Sequence, residues 1–162
     1  MRVLAFDPGF ERLGVAVVEK VSGKELLLFS DCVRTSASLP FFERLKILGG
    51  AAEEHIQTYK PDAIALEDIY FAKNAKTAMK VAEVRGMLSY IAASHNLCLY
   101  EYTPLQVKVA ITGYGQSDKR AVAMMVSKLV TIPEKLGAKK KLDDEIDAIA
   151  IGLTCLAVAK PY

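Results

Sequence analysis

The chain has 162 residues, of which 52% are hydrophobic and 25% charged, with a net charge of +2. That length suits a single domain over residues 1–162 with a sizeable core, and no run approaches the ~20 uninterrupted apolar residues of a membrane span. No basic-then-apolar leader opens the chain, and Cys32, Cys98 and Cys155 are odd in number, far apart and without a CxxC spacing, which argues against a zinc site or disulfide framework and for a cytoplasmic protein with reduced thiols.

Arg2–Asp7 is a short apolar run that ends in an acid and is closed by Pro8-Gly9, so it reads as a buried strand whose last residue meets solvent. A carboxylate in that position is half-desolvated and calls for a cation, a donor or a proton. The plainer alternative is that Asp7 accepts the N–H groups of its turn. Gly9 and Gly14 bracket a short turn. Leu13–Lys20 then reads as a second strand, Val21–Lys24 as a hairpin turn and Glu25–Arg34 as a third strand, which together make an antiparallel meander. Leu39–Tyr59 has helical spacing at Phe42, Leu45, Leu48 and Ile56, and Gly49-Gly50 within it implies close packing or a kink. Ala63–Glu67 is a second apolar run ending in an acid; lacking polar alternation, it reads as a strand buried on both faces.

Lys76–His95 is predicted as a long helix, apolar on more than one side, so that either one side covers the sheet and another faces a two-fold partner, or the helix is central and fully buried. Leu97–Tyr102 is a fifth strand, and Pro104 starts a short helix carrying Val107 and Ile111. Ser117 reads as the N-cap of a helix reaching about Val130, and Leu142–Lys160 as a last helix with Ile146, Ile149, Ala150 and Leu153 on one face. The order predicts an α/β fold with a mixed five-stranded sheet flanked by helices. His55 and His95 fall on separate helices without metal-like neighbours and read as structural.

The last helix opens Asp143-Asp144-Glu145-Ile146-Asp147. Acids in a first turn favour the helix dipole, which accounts for Asp143, Asp144 and Glu145 but not for Asp147 one turn on. Asp144 and Asp147 (i, i+3) share a face, as do Asp143 and Asp147 (i, i+4). If this helix crosses the ends of the strands that carry Asp7 and Glu67, several carboxylates converge, and they must share protons or bind cations. Oxygen ligands without His or Cys suit magnesium or manganese, and two such ions ~4 Å apart can support phosphodiester hydrolysis.

The segments Asp7-Pro8-Gly9, Leu66-Glu67-Asp68-Ile69-Tyr70-Phe71-Ala72-Lys73-Asn74-Ala75 and Asp144-Glu145-Ile146-Asp147-Ala148 resemble, in order and spacing, three motifs of the RuvC-type Holliday junction resolvases. The resemblance runs from Met1 to about Ala157. It implies an RNase H-like fold, a homodimer, and paired symmetric nicks across a four-way DNA junction in homologous recombination and DNA repair. It further implies that Asp7 bridges two metals completed by Glu67, Asp144 and Asp147, with a metal-activated water as nucleophile. The RuvA–RuvB branch-migration complex is the partner it implies.

Charge is uneven: Ala72–Lys141 holds 12 Lys and Arg against 4 Asp and Glu. A basic middle between acidic ends is what an enzyme acting on a polyanion needs, although a solvated surface would look the same. Lys73, Lys76 and Lys80 fall on one helical side, where an anion would relieve their repulsion. Ser117 as a cap would place Lys119 and Arg120 in a first turn, next to free N–H groups, as a phosphate site. The resemblance adds Lys108 to Lys119 as functional lysines. Tyr70 and Phe71 are adjacent aromatics, of which one is expected to be exposed and able to support an unstacked base, the alternative being a core aromatic under the loop; the resemblance puts Phe where this chain has Tyr70. Lys139-Lys140-Lys141 is either a phosphate contact or a solubilising run. Two rival readings remain at this level: an ATP-binding phosphotransferase of the actin-like superfamily, and a catalytically silent nucleic-acid binding module.

Overall fold

The computed structural model describes residues 1–68, 75–132 and 143–159. Within them the strands are β1 (Arg2–Asp7), β2 (Arg12–Val21), β3 (Lys24–Arg34), β4 (Ala63–Glu67) and β5 (Cys98–Tyr102). The helices are α1 (Phe41–Tyr59), α2 (Ala75–Ser94), α3 (Pro104–Thr112), α4 (Lys119–Leu129) and α5 (Asp143–Val158). The sheet order is β3-β2-β1-β4-β5. β1, β2 and β3 pair antiparallel, as the meander required, whereas β4 joins β1 and β5 in parallel. The mixed five-stranded sheet is therefore as expected, and element ends differ from the sequence reading by a residue or two.

Strand alternation divides the core into two layers. Leu4 and Phe6 of β1, Val15 and Val17 of β2, and Ile64 and Leu66 of β4 face Leu48, Ala52 and Ile56 of α1 and Val84, Leu88 and Ile91 of α2. Val3, Ala5, Ala16, Val18 and Ala65 face the other way, onto α3, α4 and α5. α5 lies across β2, β1 and β3, and its buried face runs from Ala148 to Leu156. Its seat is made of small side chains: a Cβ added at Gly152 would lie 2.7 Å from Val18 Cγ2 and 3.2 Å from Ala5 Cβ. The helix is thus pressed directly onto the sheet, at a distance only small residues allow.

Gly49-Gly50 does not interrupt α1. A Cβ at Gly49 would meet Met87 Sδ at 3.0 Å, so close packing of α1 on α2 is the reason for the first glycine, while Gly50 faces open space. The two histidines are structural, as expected. His55 packs at a tilt against Phe29 with centroids 4.7 Å apart, and His95 Nε2 lies 2.6 Å from Glu53 Oε2. One capping assignment is corrected. The N-cap of α4 is Asp118, whose side chain accepts the Ala121 N–H at 2.8 Å, whereas Ser117 Oγ pairs with Thr112 Oγ1 at 2.7 Å. Asp wins because its carboxylate, one residue nearer the helix, satisfies the free N–H and complements the dipole together. Among the described residues no helix is long and apolar enough to cross a membrane.

Candidate active site

Parity along the strands decides where the acids point. In β1 the odd residues Val3 and Ala5 face α5, and in β4 so does Ala65. Asp7 and Glu67 continue those odd series at the strands' last positions, so both carboxylates emerge on the α5 side. The β1–β4 register, Phe6 opposite Leu66, makes them neighbours at the same edge. Gly14 of β2 pairs with Asp7 and belongs to the even series of Ala16 and Val18, which also faces α5. A Cβ at Gly14 would lie 2.0 Å from the carbonyl oxygen of Asp144 and 3.2 Å from Asp7 Cβ. The first turn of α5 thus rests on bare backbone beside Asp7, and this contact brings Asp144 and Asp147 over the strand ends.

The electrostatics record the convergence. Burial, followed by the charges of Glu67, Asp147 and Asp144, pushes the Asp7 carboxyl up to about 8, with Lys119 opposing. Burial, then Asp147, also raises Glu67, against the pull of Lys119 and Lys108. Asp143 is exposed and absent from both sets of causes, acting instead on Lys119, whereas Asp144 and Asp147 both act on Asp7. Two cations hold the outer acids. Lys119 Nζ donates to Asp147 Oδ2 at 2.9 Å, and Arg12 Nε stands 3.4 Å from Asp144 Oδ2.

Among the described residues no group of three or more Asp, Glu, His or Cys side chains is arranged to hold a metal as it stands. The donor set nevertheless fits a hard divalent cation: the four side chains offer only oxygen, and burial together with the charges of the other three raises the Asp7 carboxyl, a cost that a bound cation would relieve. Asp144 Oδ2 is also buried and accepts no hydrogen bond. Lys119 and Arg12 stand where such a charge would otherwise be wanted.

The basic residues are dispersed. Lys108 acts on Glu67, and Lys119 and Arg120 occupy the first turn of α4, although the Asp118 cap puts a carboxylate where free N–H groups were expected to stand. Lys80 Nζ lies over the rings of Phe10 and Phe41, at 5.1 and 5.6 Å from their centroids, and Lys76 is exposed on the same helix. Tyr70, Phe71, Lys73 and Lys139-Lys140-Lys141 lie outside the described residues. Past Glu67, Arg85 ties Asp68 at 3.2 Å and also pairs with Glu101, fixing the exit of β4.

The family model for crossover junction endodeoxyribonuclease RuvC matches residues 3–155. This chain belongs to the RuvC family. It is 40% identical to the crossover junction endodeoxyribonuclease RuvC of Caldicellulosiruptor saccharolyticus, over 94% of this chain and 90% of that relative. Among solved structures it is similar to Thermus thermophilus RuvC in complex with a Holliday junction substrate, with a TM-score of 0.89 and 32% identity, covering 98% of this chain and 94% of that one. The yeast mitochondrial Holliday junction resolvase Ydc2 shares the fold at a TM-score of 0.68 and 15% identity. The RNase H-like fold expected of this RuvC-family chain is therefore shown, and membership displaces the actin-like phosphotransferase reading.

Two residues of the site escaped the sequence reading. Gly14 was visible only as a turn glycine, because its contact with Asp144 joins positions far apart in the chain. Arg12 carried no sequence signal at all; its role follows from facing Asp144 across the same contact.

Proposed function

We propose that Asp7, Glu67, Asp144 and Asp147 take up two divalent ions, magnesium or manganese, and that the chain uses them to nick Holliday junctions in symmetric pairs during recombination and DNA repair. Membership of the crossover junction endodeoxyribonuclease family carries junction resolution as its function. The observation that supports this site is the meeting of Asp7, at a buried strand end, with the charges of three other carboxylates. Ions bound there would supply an activated water and neutralise charge on the leaving oxygen. The chain's own contribution is placement: β1 and β4 fix Asp7 and Glu67, and the α5–Gly14 contact fixes the other two. Lys108 and Lys119 add positive charge beside Glu67 and Asp147, where phosphate would enter.

The DNA surface in this reading comprises Lys73, Lys76, Lys80, Lys108, Lys119 and Arg120, with Tyr70 or Phe71 supporting an unstacked base at the junction. Magnesium-dependent nicking of a synthetic four-way junction, with linear duplex spared, is the expected result; a junction left intact at every magnesium and manganese concentration overturns the reading. Junction binding should weaken linearly in log–log terms with salt, losing roughly 0.9 in slope per phosphate contact. A flat response between ~50 and ~200 mM would remove the basic surface from the account.

The working form in this reading is a cytoplasmic homodimer served by the RuvA–RuvB branch-migration complex. Support for the dimer comes from α2, which buries Val84, Leu88 and Ile91 yet leaves Met79 and Tyr90 more than two-thirds exposed at 67% and 74%. Sedimentation should give a dimer at micromolar concentration, and Tyr90→Glu should shift it toward monomer. Monomer alone in the wild type would exclude the arrangement.

A further inference from the structure

We propose that Arg12 has two stations. In the metal-free protein it is the resident counter-ion of Asp144; once a divalent ion takes Asp144, its guanidinium turns to a backbone phosphate of the cut strand. That phosphate lies in the groove between the β1–β2 turn and α2. The inference rests on the reading of the site given above and adds a residue to it.

The first station is built to be left. Arg12 Nε lies 3.4 Å from Asp144 Oδ2, and that oxygen, though buried, accepts no hydrogen bond, so the contact is one of charge alone. Among the described residues Asp144 is the only ion-pair partner of Arg12, whose side chain is 55% exposed. Pairs this open to solvent are worth less than about tenfold in an equilibrium, so an ion with two charges displaces the guanidinium readily.

The second station is a groove of about 360 Å³ beside the acids. Phe10 and Val81 line it, Thr77 offers a hydroxyl, Arg12 and Asp144 stand together within it, and the Glu11 carboxylate at its wall is offset by Arg44 at 3.9 Å. Cations border it: Lys80 lies over the Phe10 ring, and the Arg44 guanidinium carbon lies 4.9 Å from the centroid of that ring. Arg44 is buried and donates to Thr35 Oγ1 at 2.8 Å, while Thr35 Oγ1 donates to the Phe10 carbonyl at 2.6 Å. The turn that leads into Arg12, the first residue of β2, is thereby anchored at Phe10, while the half-exposed Arg12 side chain has room to swing. An apolar floor with cations at its border, opening at a carboxylate centre, fits a sugar–phosphate strand. A planar guanidinium fork is the side chain best matched to phosphate oxygens.

The test compares wild type with Arg12→Gln and Arg12→Lys in two assays. In the first, manganese binding to the DNA-free protein is followed by the electron paramagnetic resonance of the free ion. Arg12→Gln should bind manganese about threefold more tightly, because the competing cation is gone. In the second, junction nicking is measured in manganese over a salt series. Arg12→Gln should raise KM roughly tenfold with kcat little changed, and the slope of log KM against log salt should fall by about 0.9. Arg12→Lys should keep most of both wild-type values. Opposite signs in the two assays are the mark of the two stations, since a structural role would weaken both together. Unchanged or weaker manganese binding in Arg12→Gln overturns the proposal, as does an unchanged KM and salt slope. If the wild type fails to nick, the reading of the site falls, whereas the manganese assay still judges the counter-ion role without DNA.

Discussion

Asp7→Asn is expected to give a folded protein that binds a four-way junction, does not nick it, and melts at a higher temperature than wild type in metal-free buffer at pH 8. Loss of nicking follows from position, since Asp7 is the carboxyl that feels all three of the others. The gain in stability follows from the same crowding. In the unfolded chain the Asp7 carboxyl releases its proton near 3.8, whereas in the folded protein it holds it to about 8. Across that window the folded state binds the extra proton, so raising the pH drains stability, by up to about 1.4 kcal/mol per unit. The contribution is complete below the lower value and fully lost above the upper one. Asn cannot ionise, so the variant lacks this loss. Wild type and variant should melt together near pH 4 and separate as pH rises, by roughly 5 °C or more at pH 8. Adding manganese should raise the wild-type midpoint and narrow the gap. Matched melts at pH 4 and 8, with and without manganese, check this; a variant less stable than wild type at pH 8 contradicts the crowded-carboxylate account.

Gly14→Ala is the second substitution with a large expected effect. The new methyl would stand 2.0 Å from the Asp144 carbonyl oxygen and 2.7 Å from its carbon. Both are main-chain atoms, so rotation of a side chain cannot relieve the clash, and the first turn of α5 must lift from β2. Displacement of reacting groups by ~1 Å costs about 100-fold in rate, and nicking should fall by at least that much. Stability should fall by about 1–3 kcal/mol, the usual penalty of overpacking, so the protein still folds. Gly50→Ala is the control. Gly50 lies in a helix and faces open space, so its methyl should stabilise by up to about 1 kcal/mol and leave nicking unchanged. Nicking by Gly14→Ala within tenfold of wild type would show that Asp144 does not depend on this contact.

What could be read from sequence was whatever local rules govern. Ala63–Leu66 lacks polar alternation and is buried throughout, as a central strand requires. Pro8-Gly9 closes β1 directly after Asp7, and α5 begins within its run of acids. Spacing alone placed Asp144 and Asp147 on one helical face but did not separate Asp143, because that choice depends on the side from which the sheet approaches. The cap of α4 was misplaced by one residue for a similar reason: Ser117 and Asp118 are both good caps, and the Thr112 hydroxyl, which engages Ser117, decides between them. Gly14 and Arg12 were out of reach because each acts through a contact with residue 144, more than a hundred positions away, and no periodicity encodes such a meeting. The charge imbalance of the middle of the chain was legible, whereas the hold of Lys119 on Asp147 was not.

The proposed centre draws its acids from well-separated parts of the polypeptide, and half of them arrive with α5, the last helix among the described residues. A growing chain on the ribosome therefore carries Asp7 and Glu67 as an inert pair until the segment holding residues 144 and 147 has emerged and docked. On the proposed reading of the site, a chain stopped upstream of α5 lacks two of the four acids and should not cut.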